Sequence, residues 1–297
     1  MSQQTFYQSI ETEGITKTRS LSEGTTLLPN STEQVCRILE LADAYNLRAC
    51  APGSRRDPRS CFVLSLAQMN THIAINELDH IVTVHGGMSL RNLDRHLKTA
   101  GFMRRAAPMQ LNLSVSEWIA TGLIGAETSE VEPLSACLLG LVAVRSDGSK
   151  MRCRPAPRKA MGPELWPLFV GTRSKYAVVT EATFAIRFYQ NLIRKDFVFE
   201  TRSDAGQAKA WLRASGLRGS YFLVDASGPG SKLVVYLDED GPFCHANKAI
   251  LSEVIKQFNG KASAIGSSVI APARQNTVDA PYLSEILKHA DPKGILG

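Results

Sequence analysis

An α+β fold with two unequal parts is expected for this 297-residue chain, and three observations carry that expectation. Between residues 29 and 190 the apolar pattern switches repeatedly between helical and strand periods, in the order helix, strand, loop, strand, strand, helix. After Gln190 the order becomes strand, helix, strand, strand, helix. Between the two lies one stretch, residues 168–187, where a glycine turn at Gly171 feeds β-branched and aromatic residues that favour a buried strand.

In chain order, residues 1–30 are polar apart from a short apolar run before Pro29, and read as a mobile arm leading to an edge strand. Asn30, Ser31, Thr32 and Glu33 supply N-capping chemistry for a helix with Val35, Ile38, Leu39 and Ala42 on its apolar face and a stop at Asn46. A strand from Arg48 then enters the loop Pro52-Gly53-Ser54-Arg55-Arg56, and the runs 62–66 and 81–84 are strands, the latter ending at Gly86-Gly87. Ser89 to Ala100 reads as an amphipathic helix on Leu90, Leu93 and Leu97, with Gly101 as its left-handed exit. Asp147-Gly148 marks a tight turn after the strand 139–144, and the turn at 227–230 joins two strands of the second part.

The formal net charge is +6, and the basic residues are dispersed except at Arg55-Arg56, Arg104-Arg105 and the segment 152–159. That balance permits an anionic ligand and gives no reason to expect nucleic acid. Six cysteines show no C-x-x-C pairing, so buried free thiols are expected and no metal site is. No window approaches a membrane span and the first residues have no secretory apolar core, so a cytoplasmic location is expected, with organelle import left open.

The run Gly171, Val178, Val179, Thr180, Glu181, Ala182 and Thr183 resembles the signature that closes the flavin domain of the FAD-linked oxidases, the PCMH-type or vanillyl-alcohol oxidase family. Leu64 to Asn70, Val82 to Leu97 and the segments 119–125 and 158–165 are similar to that family too, and nearest to the FAD-binding subunit of glycolate oxidase. The resemblance implies a PCMH-type FAD-binding fold over residues 29–190, after an arm of residues 1–28. It also implies a reduced, ferredoxin-like cap over residues 191–275 and a segment, residues 276–297, that returns to the first domain.

It further implies FAD as cofactor, a small-molecule substrate with a CH–OH donor such as a 2-hydroxy acid, and partner subunits in a larger complex. The family's cofactor positions fall on Gly53, Ser54, Arg55 and Arg56; on Ser114, Ser116, Glu117, Thr121 and Gly125; and on Gly171, Ser174 and Val179. Glycines let backbone N–H groups approach a pyrophosphate, yet Ser116, Glu117, Ser174 and Ala177 stand where the family has glycine. A carboxylate at Glu117 would repel a dianion by several kcal/mol at ~4 Å unless it turns away. Three function classes therefore stay open: an FAD-dependent oxidoreductase subunit, a cofactor-free pseudoenzyme with a structural or regulatory role, and an anion binder lined by Arg55, Arg56 and Arg173. His245 and His289 are the candidate catalytic histidines in the second half, and His85 reads as a strand-end residue beside Gly86.

Overall fold

The computed structural model describes residues 3–20, 24–57, 60–105, 112–122, 134–154, 169–215, 217, 220–228, 230–263 and 289–296. The described residues form three sheets and three apolar cores. No described helix is long and apolar enough to cross a membrane.

The first sheet has the order β1-β2-β4-β3, from Thr16–Ser20, Gly24–Leu28, Phe62–Leu64 and Ala49–Cys50. β2 and β3 both run parallel to β4, so a helix must cross over between β2 and β3. That helix is α2, Thr32–Tyr45. Ser31 accepts from the Gln34 N–H at its start, and Asn46 ends it in the left-handed region at φ 54°, as its sequence requires. The amino-terminal segment is not a mobile arm. Residues 3–12 form helix α1, Gln3–Thr12, because Phe6 and Ile10 lie one turn apart and are both fully buried against α2 and β4. The apolar run before Pro29 is β2 and is not an edge strand, because β1 pairs with its outer side and takes the edge position.

The second sheet is antiparallel, in the order β5-β6-β10-β8-β9. Its strands are Ile73–Asn76, Ile81–His85, Ala177–Phe188, Leu138–Arg145 and Lys150–Cys153, and β7, Phe102–Arg104, pairs with the far end of β10. β10 is the buried strand expected after the Gly171 turn, running unbroken from Ala177 to Phe188. Bulges between Val179 and Glu181 and between Thr183 and Phe184 take up the polar middle, and Thr180 is satisfied by Thr32 and by the Val142 carbonyl. Helix α3, Leu90–Thr99, buries Leu90, Leu93 and Leu97 against this sheet. Gly101 follows it at φ 79°.

The third sheet has the order β12-β13-β11-β14, from Ser220–Gly228, Gly230–Asp238, Leu192–Phe199 and Lys261–Ser263. Helices α6, Arg202–Ala214, and α7, Cys244–Gln257, pack with it around Phe199, Leu233, Val235 and Leu237. The succession β-α-β-β-α-β with its two central strands from β11 and β13 is ferredoxin-like. Pro229 in the expected turn lies outside the described residues.

Residues 289–296 dock on the first sheet. Ile295 and Leu296 are buried with Leu27 and Ala49, the Ala49 N–H donates to the Ile295 carbonyl, and Asp291 accepts from the Ile295 and Leu296 N–H groups. Arg56 donates from its two terminal nitrogens to the Ile295 and Gly294 carbonyls, at 2.8 and 2.7 Å. Arg56→Ala therefore removes two charge-assisted bonds and is expected to cost about 2 kcal/mol. Limited proteolysis should then cut within residues 289–296 well before the parent chain is cut.

Candidate functional site

The candidate site lies where three loops meet at helix α4, Val115–Thr121. The first loop, after β3, carries Gly53 at φ 77°, against Ala120. A Cβ on Gly53 would come within 2.8 Å of the Ala120 Cβ, so only glycine lets loop and helix close together. The third loop, Gly171 to Ser174, reaches the other end of α4: the Gly171 and Arg173 N–H groups donate to the Ile119 and Ala120 carbonyls at 2.9 and 2.6 Å. It also reaches the first loop, since Ser174 Oγ donates to the Pro52 carbonyl at 2.6 Å and Arg173 Nη1 to the Gly53 carbonyl at 3.4 Å. Arg173 and Ser174 both adopt left-handed backbone, at φ 56° and 59°, the conformation for which glycine is ordinarily selected.

Below α4 runs the Gly86-Gly87 turn that ends β6. Side chains there would strike backbone, at 2.4 Å from the Val179 carbonyl oxygen for Gly86 and 1.7 Å from the Leu66 oxygen for Gly87. The Ser116 N–H donates to the Gly86 carbonyl and the Gly86 N–H to the Thr180 carbonyl. Of the sequence-derived candidates, Gly53, Ser54, Ser114, Ser116, Glu117, Thr121, Gly171, Ser174 and Val179 thus sit on one connected set of loops, strand and helix. Gly125 lies outside the described residues.

Glu117 does turn away. It is the fourth residue of a capping box in which its carboxylate accepts from the Ser114 N–H and hydroxyl, each at 2.8 Å, while Ser114 Oγ accepts from the Glu117 N–H. The N–H groups of the second loop are consequently spent inside the protein: Ser114 on Glu117, Val115 on Met88, Ser116 on Gly86. Arg56 is committed to the carboxyl-terminal segment and not to an anion, which removes it from the basic lining expected of the first loop.

What remains fits a phosphate-bearing cofactor at the first loop. Among the described residues, the Gly53 and Arg55 N–H groups make no hydrogen bond and the Arg55 side chain is exposed beside them. Ser116 Oγ, on a residue with no exposed surface, also lacks a partner. A buried hydroxyl without one costs about 1–3 kcal/mol, so it is a place where a bound group would be welcome.

One further polar group stands out. His85 Nδ1 is buried without a partner among the described residues, and its ring lies 5.0 Å from that of His72. Burial first, then His72, pushes the His85 imidazole below its ordinary 6.5, against an opposing pull from Glu181 across the sheet. His85 is therefore neutral at pH 7. The unfolded chain takes up a proton below about 6.5 that the folded chain refuses, so this group leaves stability intact above that pH and erodes it as pH falls. His85→Gln is expected to flatten that acid-side loss, measured by chemical denaturation between pH 5 and 7. His245, by contrast, is exposed on α7 and His289 is exposed where the carboxyl-terminal segment begins. Among the described residues no group of three or more His, Cys, Asp or Glu gathers as metal ligands would.

This mixed helix-and-sheet architecture is the PCMH-type FAD-binding fold. Residues 25–154 match the model of the FAD binding domain family. It is 27% identical over 165 residues to an uncharacterized FAD-linked oxidoreductase of Escherichia coli, covering 52% of this chain and 34% of that protein. It is also 27% identical over 176 residues to the mitochondrial D-2-hydroxyglutarate dehydrogenase of Danio rerio, covering 55% and 32%. With a mitochondrial cytochrome D-lactate dehydrogenase of Saccharomyces cerevisiae it shares 25% over 203 residues, covering 64% and 34%. These alignments span about a third of the relatives' own lengths. Among solved structures, a glucooligosaccharide oxidase of Acremonium strictum superposes with a TM-score of 0.70 at 14% identity, over 92% of this chain and 65% of that one. An alkyldihydroxyacetonephosphate synthase does so at 0.64 and 14%, over 90% and 58%.

Proposed function

We propose that the chain is the FAD-binding part of an oxidoreductase that acts on a 2-hydroxy acid or a similar CH–OH donor, working with other protein subunits. The observation that carries this is the meeting of three loops at α4 with the Gly53 and Arg55 N–H donors left open. The sequence resemblance to the glycolate oxidase subunit, and relatives named as D-lactate and D-2-hydroxyglutarate dehydrogenases, point to the donor class.

FAD would supply the two-electron acceptor for the donor's C–H bond. The chain's own part is to bind and to move protons. The Gly53, Ser54 and Arg55 loop would hold the pyrophosphate by backbone N–H groups and one guanidinium. The Ser116 hydroxyl, without a partner among the described residues, would donate to the bound group. His85, neutral and with a bare Nδ1, is the group suited to accept the donor's hydroxyl proton.

The test is a spectrum of the purified protein together with a thermal melt. Bound flavin should be visible or released on denaturation, and FAD at 100 times its Kd should add about 2.7 kcal/mol of stability. A colourless protein whose melting point FAD does not move sinks the proposal. It would instead support a second reading, a cofactor-free structural or regulatory subunit. The observation favouring that one is the self-closure of the second and third loops by Glu117 and Ser174.

A further inference from the structure

All six cysteines are free, and the fold brings two of them to one turn. Cys50 ends β3 and Cys61 immediately precedes β4, and the two strands pair in parallel with Ala49 opposite Phe62 and Cys50 opposite Val63. The chain thus leaves the sheet at one thiol and returns to it at the other, with the Gly53 to Arg56 loop in between. Cys50 Sγ donates to the Arg56 carbonyl at 3.7 Å and Cys61 Sγ to the Asp57 carbonyl at 3.3 Å. Both sulfurs therefore point at adjacent carbonyls of the same turn. Both residues are half-buried, so a small oxidant can reach them. Cys36, Cys137, Cys153 and Cys244 lie on other elements, namely α2, the short helix Leu134–Cys137, β9 and α7.

We propose that Cys50 and Cys61 are a modification site: a reversible disulfide that ties the base of the Gly53 to Arg56 loop. The oxidant is a small-molecule disulfide of the glutathione class. One protein thiolate attacks it, forming a mixed disulfide and releasing one small thiol. The second protein thiol then attacks the mixed disulfide, forming the Cys50–Cys61 bond and releasing the other small thiol. Two protein thiols are oxidised, one external disulfide is reduced, and the two thiol protons pass to the released thiols. The link would hold in one shape the loop that carries Gly53, Arg55 and Arg56, including the Arg56 grip on Gly294 and Ile295. It needs no flavin, so it stands or falls separately from the proposed function.

The surroundings set how the site responds to pH. Burial raises both thiols, Cys61 to about 11; Arg56 draws both down, and Asp57 pushes Cys50 up. Both are therefore protonated at neutral pH, and exchange accelerates roughly tenfold for each pH unit below the thiol pKa, because only the thiolate attacks.

The experiment treats the full chain with oxidised glutathione at pH 7.0 and 8.5, alkylates what remains, digests, and reads masses. The expected result is loss of two of the six thiols, appearing as one cross-link between the Cys50 and Cys61 peptides. It should form at least about tenfold faster at the higher pH and reverse with dithiothreitol. In Cys61→Ser the cross-link should vanish, with Cys50 trapped as its glutathione adduct. Complete alkylation of both cysteines after prolonged oxidation of the parent chain, or linkage of either to a different cysteine, overturns the proposal. The mapping on the parent chain decides the matter even if the variant does not fold.

Discussion

Trp118→Ala should cost about 3–5 kcal/mol, the range for deleting a buried large aromatic, and lower the melting temperature by roughly 10 °C for a chain of this size. Trp118 is 1% exposed and is among the largest fully buried side chains. Its ring stacks on Phe184 of β10 at 5.4 Å, and the Arg104 guanidinium covers it at 5.3 Å. Arg104 is itself nearly buried and is held by both oxygens of Asp94 from α3. One residue thus connects α4, the central strand of the second sheet, β7 and α3. The effect should reach the site, because the Gly171 and Arg173 N–H groups rest on the carbonyls of Ile119 and Ala120, the two residues after Trp118. FAD affinity is expected to fall together with stability. Trp118→Phe, which keeps a ring on Phe184, should lose less than half as much. A melting point for Trp118→Ala within about 2 °C of the parent would show that α4 is positioned by its loops rather than by this contact.

What the sequence made legible follows from how local the cause was. Helices α2 and α3 could be read because each carries its own start, period and stop within fifteen or so residues: Ser31 and Ser89 as caps, Asn46 and Gly101 as left-handed exits. The α1 helix escaped because only Phe6 and Ile10 carry its apolar face, two residues in a polar segment, and their burial depends on Phe62 and Tyr45. In the site, the same local rule holds. Ser114 and Glu117 have the spacing of a capping box, and that spacing alone folds the carboxylate back on its own helix. The fate of Arg56 was not legible at all, since its carbonyl partners lie more than two hundred residues away in sequence. From the sequence His85 reads as a strand-end residue for the same reason. Its lowered pKa arises from burial and from His72, and the pairing of β5 with β6 decides that neighbour. The glycine positions, by contrast, were informative wherever backbone meets backbone, as at Gly53, Gly86 and Gly87.

Replacing Arg194 and Lys232 together by methionine should destabilise the third sheet by about 3–5 kcal/mol at pH 7, the cost of leaving a charge buried and alone. The carboxylate at risk is Asp196, whose side chain has no exposed surface and lies between the Arg194 guanidinium, at 2.7 and 2.9 Å, and the Lys232 ammonium at 2.7 Å. Burial pushes the Asp196 carboxyl up, and the bonds from Arg194 and Lys232 outweigh it, so the group is held below its ordinary 3.8. In the parent chain that contribution is present above the unfolded value and is lost as pH falls through the lower folded value. Removing both cations leaves burial as the dominant influence and inverts the sign. The folded pKa then rises above the unfolded one, so the variant should regain stability as pH drops and the carboxyl protonates, where the parent only loses it. Adding Asp196→Leu to the double variant should recover most of the loss at pH 7, because no charge remains to be desolvated. Denaturant titrations at pH 7 and pH 4 on the three proteins separate this from simple packing damage, which would lower stability equally at both.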